Sequence, residues 1–550
     1  MKYLKYCLNK YHHSLSYTGL IIAVVFFSIS LMPSLLPRPY VLQGLLSGLT
    51  LTVGYGIGIC LRFIWRYLEM PYLTGRIKSY FQYTVTILSL LLFSYAIYYS
   101  SSWQDEVRLL MGLAPAKESL HFKMIAIALL LAFFLLFISR TIFNGFDKVR
   151  SNINRIIPKR ISNLLGLILV VFTVFVFTNN FIISKVVASL DEVYSFADEN
   201  SDKGISKPIN QNSTGSAGSF IKWKSIGRTG QNFVAAGPNY EDLSAFFNQH
   251  TLNPLRVYAG LRSGDSVQER ADLALQELIR IKGFSRSKLV IATPTGTGWL
   301  DPSAMDPFEY LHKGDTAIVS MQYSYLPSWL TLLVNPAGAK ESALVLYNTI
   351  HQYWSKLPRD TRPDLYIFGL SLGSLAAETS MNVATMMSNP IQGGLLVGPP
   401  FPSTLAPILI KQRNVNSPQW LPTIHDSSLV RFSAQKNYVK NEDWQWGPMR
   451  FVYIQYASDP MVFFSLDLFR KEPDWMMGAR GHDVSPDFKW YPVITFLQVL
   501  FDLPMADRMP RGNSHNYSAS SYIDGWLEVT QPENLSLDEE NKIRHHFRHE

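Results

Sequence analysis

Cysteine is almost absent from this sequence of 550 residues. The only two cysteines, Cys7 and Cys60, both lie in the first third of the chain. The C-terminal part can therefore hold no disulfide, and a cysteine-based metal site is excluded there. Adjacent histidine pairs occur only in polar terminal segments, where we interpret them as solvated side chains. We expect no metal ion and no cofactor.

Nucleic-acid-binding motifs are also lacking, although the net charge is +8. Most of the basic clusters lie between apolar segments of the first third. In that position, basic residues are typical determinants of membrane topology. We expect the lipid bilayer as a partner, and no nucleic acid.

Five apolar segments indicate a transmembrane domain over residues 1–190, because a helix needs about 20 apolar residues to span a bilayer. The fourth segment is the weakest, since it is short and ends at Arg140. Residues 34–39 offer no small-x-small cleavage site, which argues against a cleaved signal peptide. The segments are Tyr17–Leu36, Val41–Leu61, Phe81–Tyr99, Met124–Ile138 and Leu164–Ile183.

Basic residues predict the orientation of this domain. They precede the first segment and follow the second and the fourth segments. The loops after the first and third segments contain few basic residues, or contain basic residues together with acidic ones. The positive-inside rule then places the amino terminus in the cytoplasm. Five crossings put everything after about residue 190 outside the cytoplasm. One crossing more or fewer would reverse that prediction.

Glycines in the second segment are predicted to let that helix approach its neighbours closely. They are Gly44, Gly48, Gly54, Gly56 and Gly58. A polar stretch rich in Asn, Ser and Gly follows the transmembrane domain, and residues 191–220 are predicted to form a flexible linker.

Strand and helix patterns alternate over residues 221–550, which predicts a mostly parallel sheet covered by helices on both faces. The strands expected are 256–259, 288–292, 316–321, 365–368, 394–397 and 451–456. The helices expected between them include 266–281, 341–354 and one from Ser371 to about Met387.

A nucleophile elbow is predicted at Ser371. The apolar strand 365–368 leads into Gly369-Leu370-Ser371-Leu372-Gly373, and helix-favouring residues follow. The turn strains the serine, and a Cβ at either glycine would press on the neighbouring strand and helix. An ordinary strand–helix turn is the alternative interpretation.

An elbow on a parallel sheet indicates the α/β-hydrolase fold, whose acid and histidine follow the serine in the chain. Asp459 follows the strand 451–456 and is the predicted acid, with Asp426 as the alternative. His515 is the predicted base, with His482 as the alternative, because His515 leaves room for a helix before it. We find no strand just before His515.

An oxyanion hole is expected from the backbone N–H of Leu372 and from Thr295 and Gly296 in the glycine-rich loop after the second strand. The same loop could cradle a phosphate, but it lacks the P-loop lysine and the full dinucleotide fingerprint. Residues 400–450 form an irregular, tryptophan-containing insert at a place where this fold often carries a cap. That insert and the aromatic segment 323–330 are each candidates for either an acyl pocket or core.

Four motifs resemble a family of bacterial membrane-anchored α/β-hydrolases, in which a multi-span N-terminal domain precedes a hydrolase domain. They are residues 31–39 (LMPSLLPRP), 295–302 (TGTGWLDP), 321–329 (MQYSYLPSW) and 369–374 (GLSLGS). The resemblance covers nearly the whole chain and implies a serine-hydrolase site of Ser371, Asp459 and His515. Leu370 stands where relatives often carry an acidic residue. The resemblance supplies no substrate.

The sequence and this resemblance together predict a membrane-anchored serine hydrolase of a bacterial inner membrane, which acts on an ester such as that of a lipid or another envelope molecule through a Ser-His-Asp triad. Acyl transfer by the same triad is one alternative. A catalytically inactive hydrolase fold serving as a receptor or assembly protein is another, because fold alone does not establish function.

Overall fold

The computed structural model describes residues 15–116, 121–153, 184–381, 383–440 and 444–548. The chain divides into two compact units. The helical unit runs to Ser184 and also includes Phe464–Met477 and Val484–Met505. The sheet unit takes Lys185–Phe463, Gly478–Asp483 and Ala506–Glu550.

Four helices form the first part of the helical unit: α1 (Tyr17–Ser30), α2 (Tyr40–Tyr67), α3 (Gly75–Leu110) and α4 (His121–Ile153). Three of them, α2, α3 and the His121–Gly145 part of α4, are long and apolar enough to cross a membrane. The fourth predicted segment, expected to be the weakest, has the highest mean hydropathy of the three, 2.6. The fifth, 164–183, lies outside the described residues.

Helix α1 is shorter than the sequence suggests. It was expected to span residues 17–36, but it contains 14 residues and ends at Ser30. Prolines at positions 33, 37 and 39 explain the early end, because proline has no N–H for a helical hydrogen bond. At about 1.5 Å per residue, α1 alone is too short for the usual hydrocarbon thickness.

Close helix packing at the α2 glycines is confirmed for four of the five. A Cβ at Gly48 would lie 2.7 Å from the Ala128 carbonyl oxygen of α4, and one at Gly58 would lie 2.6 Å from Gly19 Cα of α1. Gly44 and Gly54 are equally crowded. Gly56 is the exception, since a Cβ there would meet no described atom within 4 Å.

A distant part of the chain completes the helical unit. Helix Ile494–Asp502 packs on α1 and α2, and Gln498 donates a hydrogen bond to the Met32 carbonyl oxygen. Asp502 forms a fully buried ion pair with Arg38, at 2.8 Å, and accepts a hydrogen bond from Ser34. Two stretches that lie between the predicted acid and base in sequence, Phe464–Met477 and Val484–Met505, thus belong to the helical unit.

The sheet unit contains seven parallel strands in the order β1-β3-β2-β4-β5-β7-β6. Together with its flanking helices, this sheet confirms the predicted α/β-hydrolase fold class. One helical group, 267–280, 336–354 and 372–380, packs together, and a second group includes 302–311 and 519–530. The strands are β1 (Leu255–Ala259), β2 (Lys288–Thr293), β3 (Thr316–Met321), β4 (Asp364–Leu370), β5 (Gly393–Val397), β6 (Val430–Ser433) and β7 (Arg450–Ile454).

The remaining helices of the sheet unit follow the alternation that the sequence predicts, with the elbow helix split in two. They are α5 (Ser184–Glu199), α6 (Arg228–Ala235), α7 (Tyr240–Phe247), α8 (Val267–Arg280), α9 (Pro302–Leu311), α10 (Ser328–Val334), α11 (Pro336–Trp354), α12 (Leu372–Ser380), α13 (Val383–Ser388), α14 (Leu405–Lys411) and α15 (Pro460–Phe463); α16 is Ile494–Asp502 of the helical unit, and α17 (Ala519–Thr530) and α18 (Leu537–His546) complete the chain.

Strand β6 was not predicted, and it lies inside the 400–450 insert. It pairs with β7 at the edge of the sheet. Arg431 of β6 stacks on two insert tryptophans, with its guanidinium carbon 3.7 Å from the Trp446 ring centre and 5.4 Å from that of Trp444. The two tryptophans therefore pack at the edge of the sheet, and residues 430–433 of the insert form a strand of that sheet.

The polar stretch predicted as a flexible linker is packed in the structure. Thr214 is completely buried and donates a hydrogen bond to the Arg256 carbonyl oxygen at 2.9 Å. Ser219 donates to Glu277, and Arg280 donates to the Gln211 carbonyl oxygen. The polar side chains of this stretch make hydrogen bonds to the rest of the sheet unit. The prediction of a flexible linker is therefore wrong for residues 211–219.

Candidate active site

Ser371 occupies a strained turn between β4 and α12. Its backbone angles are φ 59° and ψ −127°, a region that non-glycine residues seldom adopt. The Ser371 N–H donates to the Val397 carbonyl oxygen at 2.8 Å, which ties the turn to the end of β5. The side chain is buried, with 1% of the residue surface exposed.

Both flanking glycines are required by close backbone contacts. A Cβ at Gly369 would lie 2.4 Å from the Gly373 carbonyl oxygen, and one at Gly373 would lie 2.2 Å from the Thr293 carbonyl oxygen. Any side chain at either position would push the elbow out of its turn. The predicted crowding of the Gly-x-Ser-x-Gly motif is therefore confirmed.

Asp459 and His515 meet, although 56 residues separate them in sequence. Asp459 follows β7, and its Oδ2 lies 2.6 Å from His515 Nδ1. The other oxygen, Oδ1, accepts the Met461 backbone N–H at 2.8 Å. Since an ionised carboxylate only accepts hydrogen bonds, the pair holds the imidazole with Nδ1 protonated and leaves Nε2 as an acceptor.

The dipeptide Val397-Gly398 brings the serine and the histidine to one place. Val397 accepts the Ser371 N–H, and a Cβ at Gly398 would lie 2.7 Å from His515 Cε1. Gly398 has φ +55°, which also favours glycine. Within the described residues, neither Ser371 Oγ nor His515 Nε2, both buried, makes a hydrogen bond.

The predicted loop donors of the oxyanion hole have other partners. The Thr295 N–H donates to the Trp299 carbonyl oxygen at 3.0 Å, because the loop closes on itself as a turn. The Gly296 N–H donates to Ser328 Oγ at 2.8 Å. The prediction of Thr295 and Gly296 as backbone donors is thus wrong in this conformation. Leu372 begins α12, where the first N–H groups have no partners within the helix. The Leu372 N–H therefore remains a candidate donor of the oxyanion hole.

Two family models match the chain. One, described as alpha/beta-hydrolase family, matches residues 255–543, over half of the 550 residues. The chain belongs to the alpha/beta-hydrolase family. A second model, described as alpha/beta-hydrolase family N-terminus, matches residues 31–238. No curated protein and no solved structure matches the chain.

The alternative acid and base of this family member lie in different surroundings. Asp426 is exposed and accepts hydrogen bonds from the N–H and hydroxyl of Ser428 in its own turn. His482 is exposed, while its neighbour Asp483 is buried and accepts a hydrogen bond from Ser458. Geometry therefore favours Asp459 and His515. As the sequence suggested, no described strand lies between β7 and His515.

Tyr517 is a site residue that the sequence analysis missed. Its hydroxyl donates to Asp459 Oδ2 at 2.6 Å, the same oxygen that faces His515. Burial raises the pKa of the Tyr517 phenol well above its usual value of about 10, so the phenol keeps its proton and remains a donor. The only available signal was its position two residues after the predicted base.

Arg511 and Asp301 anchor the loop that carries His515, and the sequence analysis assigned neither a role. Arg511 contacts both carboxylate oxygens of Asp301, at 2.8 and 3.1 Å, and donates to the Tyr517 carbonyl oxygen. Asp301 also caps α9, the helix that follows the glycine-rich loop. This bidentate pair therefore links the histidine loop to the start of α9.

The aromatic segment 323–330 supports the glycine-rich loop. The Tyr323 hydroxyl donates to the Pro294 carbonyl oxygen at 3.0 Å, and Ser328 accepts the Gly296 N–H.

In the described part of the chain, no group of three or more His, Cys, Asp or Glu side chains could hold a metal ion.

Proposed function

We propose that this chain is a membrane-anchored serine hydrolase that cleaves an ester through Ser371, His515 and Asp459. The observation that carries the proposal is the 2.6 Å contact between His515 Nδ1 and Asp459 Oδ2 beside the turn that binds the Ser371 backbone. Membership of the alpha/beta-hydrolase family supports the reaction class.

In the first half-reaction, His515 Nε2 takes the proton from Ser371 Oγ as that oxygen attacks the ester carbonyl carbon. The negative charge of Asp459 stabilises the imidazolium that forms. The Leu372 N–H donates to the oxyanion of the tetrahedral intermediate. When the carbonyl reforms, the ester C–O bond breaks, and His515 gives its proton to the leaving alcohol.

In the second half-reaction, water replaces the alcohol. His515 takes a proton from the water as its oxygen attacks the acyl-serine carbonyl. The Ser371–acyl bond then breaks, His515 returns the proton to Ser371 Oγ, and a carboxylic acid leaves. An alcohol in place of water would give acyl transfer with the same residues.

The substrate class that we favour is an acyl ester of a lipid or of another envelope molecule. Three helices long and apolar enough to span a bilayer support attachment to a membrane.

Fluorophosphonate labelling of the full-length protein tests the mechanism, because these probes react with activated serines. We expect the wild type to be labelled, and Ser371→Ala and His515→Ala to be unlabelled. Ser374→Ala is the matched control, since Ser374 is a buried serine one turn along the same helix. A folded wild type that stays unlabelled would instead favour a catalytically inactive receptor or assembly protein.

We also propose that the sheet unit lies outside the cytoplasm. The proposal counts the predicted segment Tyr17–Leu36, of which α1 is the first part, the three long helices and the predicted segment Leu164–Ile183 as five crossings from a cytoplasmic amino terminus. Alkaline phosphatase, which is active only outside the cytoplasm, and green fluorescent protein should be fused separately after Glu550. Phosphatase activity without fluorescence is expected; fluorescence without phosphatase activity would reverse the topology.

A further inference from the structure

The loops that carry the acid and the base are joined at a second pair of residues. Asp459 contacts His515, and the residues that precede them, Ser458 and Ser514, also contact each other. The Ser514 backbone N–H donates to Ser458 Oγ at 3.1 Å, and both serines are completely buried. The acid loop and the histidine loop are therefore held together at two successive positions.

The backbone of Ser514 needs such support. Its φ is 55°, in the left-handed region that a residue with a side chain adopts only at a cost. Its own hydroxyl is buried and has no hydrogen-bond partner among the described residues. Because His515 is the next residue, the conformation of Ser514 sets the direction in which the imidazole leaves the backbone.

A third residue, Asp483, determines which way the Ser458 hydroxyl points. A hydroxyl has one proton, and Ser458 Oγ donates it to Asp483 Oδ2 at 2.6 Å, a distance usual for a bond to a carboxylate. With this proton committed, the Ser458 oxygen can only accept from the Ser514 N–H. Asp483 thus makes the Ser458 hydroxyl an acceptor for the histidine loop.

The Asp483 carboxylate is buried and holds Ser458 at two atoms. Besides the hydroxyl, Oδ2 accepts the Ser458 backbone N–H at 3.2 Å, and Gln435 Nε2 donates to the same oxygen at 2.6 Å. Gly481 permits this approach, because a Cβ there would overlap the Ala457 side chain. The carboxylate therefore fixes both the backbone and the hydroxyl of the residue beside the acid.

We propose that Asp483 is a positioning residue for His515 and acts through Ser458 and the backbone of Ser514. The inference rests on the proposed role of His515 as the base. Asp459 acts on the imidazole ring itself, whereas Asp483 acts on the loop that carries the ring. Proton transfer depends on closely fixed geometry, so a loosened loop should slow the reaction without weakening substrate binding.

Ser458→Ala tests the connection, because it removes the link but leaves the acid, the base and Asp483 in place. We expect kcat for a p-nitrophenyl ester to fall by about 10-fold, the effect of one ordinary hydrogen bond, with KM within about 2-fold of wild type. Ser521→Ala is the matched control. Ser521 is an equally buried serine whose hydroxyl contacts the Tyr456 hydroxyl at 2.8 Å and donates to the Ala434 carbonyl oxygen, and its loss should leave kcat within about 2-fold of wild type.

Variants of Asp483 test whether it acts through Ser458. Asp483→Ala should lower kcat as much as Ser458→Ala, and the double variant should lower it no further, because both changes break the same connection. Asp483→Asn keeps an oxygen acceptor for the Ser458 hydroxyl and should stay within about 3-fold of the wild-type kcat. This conservative variant also tests the proposal if Asp483→Ala does not fold.

Nuclear magnetic resonance of the full-length protein with ¹⁵N-labelled histidine provides a measurement that needs no substrate. The Nδ1–H signal of His515, identified by its absence in His515→Gln, reports the bond to Asp459. We expect this signal in the wild type, in Ser521→Ala and in Asp483→Asn. In Ser458→Ala and Asp483→Ala, exchange of the proton with water should remove it. An unlabelled wild type in the fluorophosphonate experiment, with these signals as expected, would overturn the proposed hydrolysis alone.

Four outcomes would overturn the positioning role. If Ser458→Ala keeps the kcat and the Nδ1–H signal of the wild type, the connection does not position the imidazole. If the losses of Ser458→Ala and Asp483→Ala multiply in the double variant, the two residues act separately. If Ser521→Ala loses kcat and the signal as Ser458→Ala does, the cause is a loosened core. If the wild type lacks the signal, the imidazole is not held in place at all.

Discussion

The sheet unit and the helical unit each bury a carboxylate completely, Asp459 in the first and Asp502 in the second. In the sheet unit, Asp459 accepts hydrogen bonds from His515 and Tyr517 and from a backbone N–H. None of these donors is permanently charged. The carboxylate therefore keeps its negative charge available for a cation that forms only during a reaction, such as an imidazolium.

In the helical unit, Asp502 already faces a permanent cation. Arg38 lies 2.8 Å away, and Ser34 donates to the second oxygen. A carboxylate neutralised in this way can hold two parts of a chain together but has little charge left to stabilise a transition state. Both carboxylates are buried, so burial does not distinguish them. The charge of the hydrogen-bonding partner does, because a neutral partner suits a catalytic carboxylate and a cationic partner suits a structural one.

Asp459→Asn should produce the largest effect on activity. We expect kcat/KM for a p-nitrophenyl ester to fall by about 10⁴-fold, because the neutral amide neither holds the imidazole tautomer nor stabilises its cation. Asp502→Asn, the same change in the other unit, should leave the rate of the folded protein within a few-fold of wild type. Equal losses in both variants would contradict the distinction.

Much of the site that this prediction tests could be read from the sequence. Ser371 lies in a continuous motif between a strand and a helix, and Asp459 follows directly on a strand, so local pattern was enough for both. The choice of His515 over His482 depended on chain length and now has the support of geometry. Six of the seven strands were predicted because their apolar runs are short and bounded by turns.

Features that depend on distant contacts could not be read in this way. Strand β6 is four residues long and contains Arg431, whose burial against tryptophans and Glu528 no local pattern reveals. The backbone donors Thr295 and Gly296 were misassigned because amide direction depends on the turn that the loop adopts. The partner of Arg38 is 464 residues away, beyond the reach of any periodicity.

Arg38→Met should destabilise the helical unit more than any other single change considered. Removing the cation leaves Asp502 buried without a counter-charge, which typically costs about 3–5 kcal/mol. The double variant Arg38→Met/Asp502→Leu should recover most of that free energy of unfolding. Thermal unfolding in detergent measures both, and a double variant no more stable than Arg38→Met would mean that the pair is not coupled.

Glu378 extends the comparison to a carboxylate that faces no cation in the described part of the chain. It accepts the backbone N–H groups of Leu405 and Ala406, and burial raises the pKa of Glu378 to about 7. Between its ordinary pKa near 4.5 and about 7, the folded protein keeps a proton that the unfolded chain has lost. The free energy of unfolding therefore falls as the pH rises through that window, by up to about 3 kcal/mol, and levels off above it.

Glu378→Gln should remove the part of this dependence that Glu378 causes, because the amide does not titrate, while buried Glu309, whose pKa is also raised to about 7, should keep a slope of its own. The measurement is the unfolding temperature from pH 4.5 to pH 7.5 for the wild type, for Glu378→Gln and for the exposed control Glu533→Gln. The control should keep the slope of the wild type. A slope as steep in Glu378→Gln as in the wild type would show that Glu378 does not cause it.

Tyr517→Phe should have the smallest effect on activity. It removes the phenol that shares the charge of the Asp459 carboxylate with His515. Without the phenol, one donor to Oδ2 is lost and the carboxylate attracts the His515 proton more strongly. The acidic limb of the pH–rate profile should therefore move to higher pH. We expect kcat at neutral pH to fall by about 3- to 10-fold, because the loss is one hydrogen bond worth about 1 kcal/mol.

Tyr456→Phe distinguishes this positioning role from a packing role. Tyr456 is equally buried and packs against Tyr517 with ring centres 4.5 Å apart, but its hydroxyl bonds to Ser521 rather than to Asp459. It should lower the unfolding temperature as Tyr517→Phe does while leaving the pH–rate profile in place. If both variants move the profile equally, the shift comes from a loosened core, and the charge of Asp459 does not depend on the phenol.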